Sequence, residues 1–268
     1  MSAHMSPTEA HKVKQEYFKI LNTFSKEQDI QRFIEQNTPL IPRVFVQNHD
    51  IHFQLVIRKL PLGNQFVSDF IFLSKSSADW NLVLIEIERP DKPYFNKNTD
   101  KLSNDFTSAI QQIHDWKAWL GDADNKKYLV KQLKPILLPM GGNPVNVKYV
   151  LVYGRRHEYD SKPDRARKAK SFEDSDTKVL SFDSLAEEIQ HKRKLYLGKL
   201  QGNVIEIMSN EFVSEQMFAW ARPQDFRIPE QLKNNALRER NAINAYRHDD
   251  NDKIVNAIDY FVNKTFTT

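Results

Sequence analysis

Three carboxylates lie where the chain is otherwise apolar. In "VLIEIERPDKP", residues 83 to 93, the β-formers Val83, Leu84, Ile85 and Ile87 mark a mostly buried strand. Glu86 and Glu88 interrupt it, and Arg89-Pro90 ends it. In a strand of period two, residues 86 and 88 share a face. Like charges side by side on a core strand repel each other and are costly to desolvate. A third acid, Asp69, sits inside "QFVSDFIFLS". With the two strands paired as a hairpin, Asp69 comes near Glu86. Two or three hard oxygen donors converging on one point make a site for Mg2+ or Mn2+, which prefer carboxylates and water. Such a cation removes the repulsion, acidifies a bound water and stabilises a phosphoryl group under attack.

The elements around these acids follow from hydrophobic periodicity. "SKEQDIQRFIEQNT" reads as a helix capped by Ser25, with Ile30, Phe33 and Ile34 as its apolar stripe and Pro39 and Pro42 closing it. "DIHFQLVIRKL" and "QFVSDFIFLS" read as two strands around the turn "PLGN", and "KSSAD" leads into the third, "WNLVLIEIER". A helix over roughly 102–120 carries Phe106, Ala109, Ile110, Ile113, Trp116 and Leu120 at helical spacing, with Gly121 as its stop. Trp116 and Trp119 are expected to pack in the core, and His114 to lie on the helix surface. After an irregular "QLKPILLPMGGNP", the nearly continuous apolar run "VKYVLVYGRR" is expected as a central strand, with Gly154 permitting a turn. A β-α pair follows at "KVLSFDSL", with the helix from about Ser184. Beyond residue 200, "NVIEIM" reads as one more strand, and the polar, then helical remainder reads as an assembly arm. The chain thus divides into a helical lead (1–24), a catalytic domain (25–200) and a small C-terminal extension (201–268).

Composition narrows the function classes. The 268 residues are 40% hydrophobic and 28% charged, which supports a packed core. No run of about 18 apolar residues is present, so no membrane partner is expected, and the first residues lack the apolar centre of a signal peptide. The absence of cysteine excludes disulfides and thiolate metal sites and fits a cytoplasmic location. With no GxxxxGK[ST] motif among seven glycines, an NTPase is disfavoured. The net charge of +4 is concentrated in "RRHEYDSKPDRARKAK", residues 155–170, where seven Lys/Arg oppose three Asp/Glu. Concentrated basic charge is the footprint expected for phosphate backbones. Arg155, Arg156, Lys162, Arg165, Arg167 and Lys168 are the candidate DNA contacts, with internal salt bridges as the competing reading of Arg155 and Arg156.

Helix-β-β-β-helix-β with an Asp on the second strand and E-x-(K/E) on the third resembles the PD-(D/E)XK nuclease core. The blocks "SDFIFL…LVLIEIERP", "SAIQQIHDWKAWL" and "KYVLVYGRR…VLSFDSL" are more narrowly similar to the Shedu-type antiphage nucleases, over roughly residues 27–190. The resemblance implies an α/β restriction-endonuclease-like fold, with a mixed sheet flanked by helices. It also implies a Mg2+- or Mn2+-dependent endonuclease that cleaves or nicks double-stranded DNA in antiphage defence, and a homo-oligomer, dimer or tetramer. Asp69 and Glu86 would be metal ligands, Glu88 would assist, and Gln112 would be the glutamine that relatives place beside the active site. The first-helix acid would be Glu27 or Glu35.

One position departs from the family pattern. Glu88 stands where the motif has a lysine that orients or polarises the attacking water. Arg89 points to the opposite face, so the replacement is Glu88 itself or a lysine reaching back from the next loop, Lys92, Lys97 or Lys101. This departure keeps two alternatives open: a catalytically silent DNA-binding or DNA-end-sensing module of the same fold, and a protein-interaction scaffold.

Overall fold

Nine strands hydrogen-bond into one mixed sheet, with helices packed on both of its faces. It is seen in a computed structural model that describes residues 4–23, 26–138, 140–245 and 251–267. The meander β1 (Ile51–Leu62), β2 (Phe66–Lys75) and β3 (Trp80–Ile87) is antiparallel. β4 (Val145–Val152) runs parallel to β3, and β5 (Thr177–Leu180) runs parallel to β4. On the other side of β1 the sheet continues through β6 (Tyr196–Gln201), β7 (Val204–Ile207), β8 (Phe226–Ile228) and β9 (Phe266–Thr267).

Alternation in β3 sorts the core into two layers. Leu82 and Leu84 join a cluster with Phe106, Ile110 and Trp116 of α3 (Asn104–Gly121). Val83, Ile85 and Ile87 join a second cluster with Tyr17 of α1 (Pro7–Asn22) and with Ile30 and Ile34 of α2 (Glu27–Gln36). The α3 stripe is buried as its spacing predicts, and the helix starts where the Ser103 hydroxyl accepts the Phe106 N–H at 3.1 Å. Both helices are therefore fixed to opposite faces of the strand that carries Glu86.

The structure adjusts several expectations. α2 begins at Glu27 with Lys26 as its N-cap, and the expected cap Ser25 lies outside the described residues. Gly121 is the last residue of α3, and Asp122 both ends that helix and caps α4 (Ala123–Gln132) through the Asp124 and Asn125 N–H groups. α4 is mostly polar with Leu129 buried, which left it no legible stripe. The last β-α helix is a single turn at Phe182–Leu185. The expected division at residue 200 falls inside β6, and Phe226, Leu232 and Phe261 lie in the same apolar cluster as α3. The C-terminal segment therefore extends the sheet and shares its core. Among the described residues no helix is long and apolar enough to cross a membrane.

The loop after β3 is fastened from below. Gly154 turns the chain out of β4 at φ +51°, in the left-handed region where a Cβ is penalised. A Cβ there would meet the Tyr94 ring at 2.7 Å and the Lys92 carbonyl at 3.0 Å. Gly154→Ala is therefore expected to cost about 1–3 kcal/mol through overpacking and strain. At about 2–4 °C per kcal/mol for a chain of this size, the melting temperature should fall by several degrees. Scanning calorimetry checks this, and an unchanged melting temperature would refute the tight fit.

Candidate functional site

The site lies where β2 and β3 part. Their ladder ends at Phe70↔Ile85, while β2 goes on pairing with β1 to Phe66↔Leu62 and β3 goes on pairing with β4 to Ile87↔Val152. The separation leaves the Ile87 N–H without a partner on β2. Asp69 supplies one, its Oδ2 accepting that N–H at 2.7 Å. The carboxylate is 4% exposed. Its Oδ1 accepts Gln31 Nε2 of α2 at 2.8 Å and is ion-paired with Lys59 Nζ of β1. Burial pushes the Asp69 carboxyl above its ordinary range, against the pull of Lys59, the Ile87 N–H and Gln31.

Glu86 has the parity of Leu84 and faces α3. There Gln112 Nε2 donates to its Oε1 at 2.6 Å. The other oxygen, Oε2, is buried with no hydrogen-bond partner. Burial first, and then the nearby Asp69 charge, push the Glu86 carboxyl up to about 9, with Gln112 pulling the other way. Glu88 shares that parity, and its Oε2 pairs with Lys92 Nζ at 2.6 Å. Sequence spacing thus brings Asp69, Glu86, Glu88 and Gln112 into one neighbourhood. Of the loop lysines, Lys92 is the one that reaches back, and Lys97 and Lys101 lie exposed.

The two first-helix acids separate. Glu27, in the first turn of α2, accepts Gln31 Nε2 at 3.2 Å. Burial and then the charges of Asp69 and Glu88 raise its carboxyl, offset by Lys59 and Lys92. Glu35 instead pairs with Arg58 at 3.0 Å. Glu27 is the acid that feels the site most directly.

Gln31 and Lys59 escaped the sequence reading. A helical Gln and a strand Lys usually face solvent, so residue type gave no signal. Lys59 stands between the paired positions Arg58↔Phe70 and Leu60↔Ser68, directly across from Asp69. Its φ is +48°, a left-handed backbone within a strand, which costs a non-glycine residue roughly 1–2 kcal/mol. Alternation slips there as well. Ile57 and Leu60, three residues apart, fall in the same apolar cluster on the α3 side.

The basic segment is largely spoken for within the fold. Arg155 forks onto Asp183 at 3.0 Å and also donates to the Leu21 carbonyl and to Asn22 Oδ1. Arg156 pairs with Glu187, and Arg167 pairs with Asp164. Arg165 pairs with Asp100 and stacks 4.7 Å from the Phe95 ring. Lys168 donates to the Asp100 carbonyl at 3.0 Å while remaining on the exposed surface, as does Lys162. His114 is exposed on α3 and Trp116 is buried, as expected.

Among the described residues no group of three His, Cys, Asp or Glu side chains forms a ready-made metal cage. Each acid is held by its own donor: Asp69 by Lys59 and Gln31, Glu86 by Gln112, and Glu88 by Lys92. The donor chemistry nevertheless fits a hard divalent cation. The orphaned Glu86 Oε2 is a buried oxygen lacking a positive partner, and Asp69 is its neighbour. Asp69 and Glu86, with Glu88 beside them, are the residues that would hold it.

These features define a mixed α/β protein with an acid cluster at the mouth of a splayed hairpin, braced by an amide from each flanking helix. The family model described as Shedu protein SduA, C-terminal, matches residues 24–186, and the chain belongs to that family. Membership suggests a part in antiphage defence. Comparison with curated proteins finds no match.

The raised Glu86 carboxyl has a definite sign for stability. Between the ordinary glutamate value and about 9, the folded chain holds a proton that the unfolded chain releases, so stability falls as pH rises through that window. Raised Asp69 adds in the same direction. Without divalent ions, Glu86→Gln should flatten this dependence and raise the melting temperature near pH ~8 by a few degrees. Thermal melts across the window test it, and a variant that melts lower than wild type near that pH would contradict the assignment.

Proposed function

We propose that the chain is a divalent-metal-dependent endonuclease that hydrolyses phosphodiester bonds of double-stranded DNA in antiphage defence. The observation that carries the reading is the orphaned, buried Glu86 oxygen beside Asp69, at the point where β2 and β3 diverge. The order helix-β-β-β-helix-β around that point, with Asp on the second strand and ExE on the third, supports a PD-(D/E)XK-type core. Asp69 and Glu86 would hold Mg2+ or Mn2+, which when bound would supply a Lewis acid and an acidified water.

The chain's own residues do the rest. Gln112 fixes the Glu86 carboxylate through a neutral donor, which orients it without cancelling its charge. Gln31 does the same for Asp69 from the opposite face. Glu88, at the position of the usual lysine, lies where it would accept a proton from water, and Lys92 holds it in place. The exposed side chains of Lys162, Arg167 and Lys168 offer cationic surface for a DNA backbone.

One observation favours a second reading, a catalytically silent DNA-binding relative. Glu88 carries no lysine and is itself neutralised by Lys92. Supercoiled plasmid incubated with and without Mg2+ or Mn2+ decides between the two. The nuclease reading expects nicked or linear product that depends on the ion and drops by at least about 10²-fold in Asp69→Ala and Glu86→Ala. Salt-sensitive binding with no cutting under either ion would leave the silent module standing.

A further inference from the structure

We infer that Lys59 is the catalytic cation of this site, its ammonium contacting the phosphate under attack once a divalent ion has taken over Asp69. The inference rests on the nuclease reading above and adds a residue on β1, the strand across from Asp69, to the acids of β2 and β3.

Three features point to Lys59. First, the third strand supplies no lysine: residue 88 is Glu, and Lys92, the loop lysine nearest to it, is engaged by Glu88 itself. Second, β1 turns left-handed at Lys59, as it also does nearer its start at Phe53 and Gln54, and at Lys59 the bend falls opposite Asp69. The left-handed φ there and the slip in alternation take the side chain out of the normal face sequence of the strand and onto Asp69. A left-handed lysine in a strand is disfavoured, and such residues concentrate where a side chain must be aimed. Third, the ammonium already occupies the cation position of Asp69 yet stays 37% exposed. A divalent ion bound at Asp69 would take the place of this ammonium, which would then be free to turn to the phosphate.

There is room beside it for a substrate. A cavity of about 390 Å3 opens between α2 and β1, lined among others by Glu27, Gln31, Arg32, Arg58 and Lys59. Arg58 is tied to Glu35 and Arg32 lies near Asp29, so Lys59 is the lining cation whose partner belongs to the acid cluster itself. In the hydrolysis, the water oxygen forms a bond to phosphorus. One P–O ester bond breaks, and its electron pair goes to the departing sugar oxygen. The attacking water loses its proton to Glu88, which passes it to solvent, and the leaving oxygen takes one from solvent. Lys59 remains charged throughout and stabilises the negative charge that builds on the non-bridging oxygens.

Because the chain has no cysteine, one position can be re-equipped chemically. Plasmid nicking is measured for wild type, Lys59→Met, Lys59→Gly, Lys131→Met and Lys59→Cys, the last after alkylation with 2-bromoethylamine or with iodoacetamide. Glycine adopts the left-handed backbone freely, so Lys59→Gly keeps the bend, and its thermal melt verifies the fold. The expected result is a fall in kcat of about 10²–10³-fold in Lys59→Met and Lys59→Gly, with KM for DNA nearly unchanged and Lys131→Met, an exposed lysine of α4, keeping its rate. Aminoethylation of Lys59→Cys restores a primary ammonium and the rate, and carboxamidomethylation does not. Near-wild-type kcat in Lys59→Met or Lys59→Gly, or equal rates after the two alkylations, overturns the role of Lys59 and leaves the nuclease reading intact. A wild-type chain that cuts with neither ion overturns both.

Discussion

The hydrogen bond from the Ile87 N–H to Asp69 is the constraint on which the site depends. A buried backbone N–H left without a partner is costly, so strands that separate inside a core need a substitute acceptor. Asp69 is that acceptor, and it can serve only because β2 turns away from β3 at this residue. The same geometry leaves Glu86 facing α3 with β2 no longer covering it. One side-chain-to-backbone bond therefore closes the break in the sheet and sets two carboxylates beside each other.

Placing acids together in a low-dielectric setting has to be balanced, and the fold does this in graded fashion. Lys59 and Lys92 neutralise Asp69 and Glu88 directly. Gln31 and Gln112 approach from opposite faces of the sheet and contribute donors without charge. Glu86 receives only an amide, and it is the acid pushed furthest toward its protonated form. The imbalance is local. The carboxyl that pays for burial with a raised proton affinity is the one with an oxygen still open, which sets this cluster apart from a salt-bridge network in which every acid has its cation.

Strand alternation and helix spacing are strong signals, and they made the meander, α3 and the nearness of Asp69 to Glu86 and Glu88 legible in the chain, while Gln112 was placed beside them only by the family resemblance. Lys59 was hidden for a definite reason. Glycine or asparagine would have announced a left-handed residue, whereas lysine in "LVIRKLPL" reads as one more surface position of an amphipathic strand. Gln31 sits between Ile30 and Phe33 and looked like a boundary residue of the α2 stripe. α4 buries little apolar surface, and β8 and β9 span three and two residues, too short for a period to register. β8 is placed by Phe226 packing 6.0 Å from the Phe261 ring, and β9 by pairing with β8, tertiary effects that local pattern does not carry.

The basic segment shows how charge density and charge function come apart. On the chain, residues 155–170 hold the whole net charge. In the fold, Arg155 ties the end of α1 to Asp183, and Arg165 clamps Asp100, Thr99 and Phe95. Glu158, an acid inside the basic run, accepts the Tyr94 N–H at 3.0 and 3.1 Å. The Arg165 and Glu158 bonds end on the loop that follows β3, from which Lys92 reaches Glu88, whereas Arg155 joins α1 to Asp183. Arginine suits this work because its planar fork satisfies several acceptors at once, where an ammonium acts as a point charge. Arg165 therefore braces the loop beside the site, Arg155 and Arg156 are tied to Asp183 and Glu187, and the exposed Lys162, Arg167 and Lys168 carry the segment's outward charge.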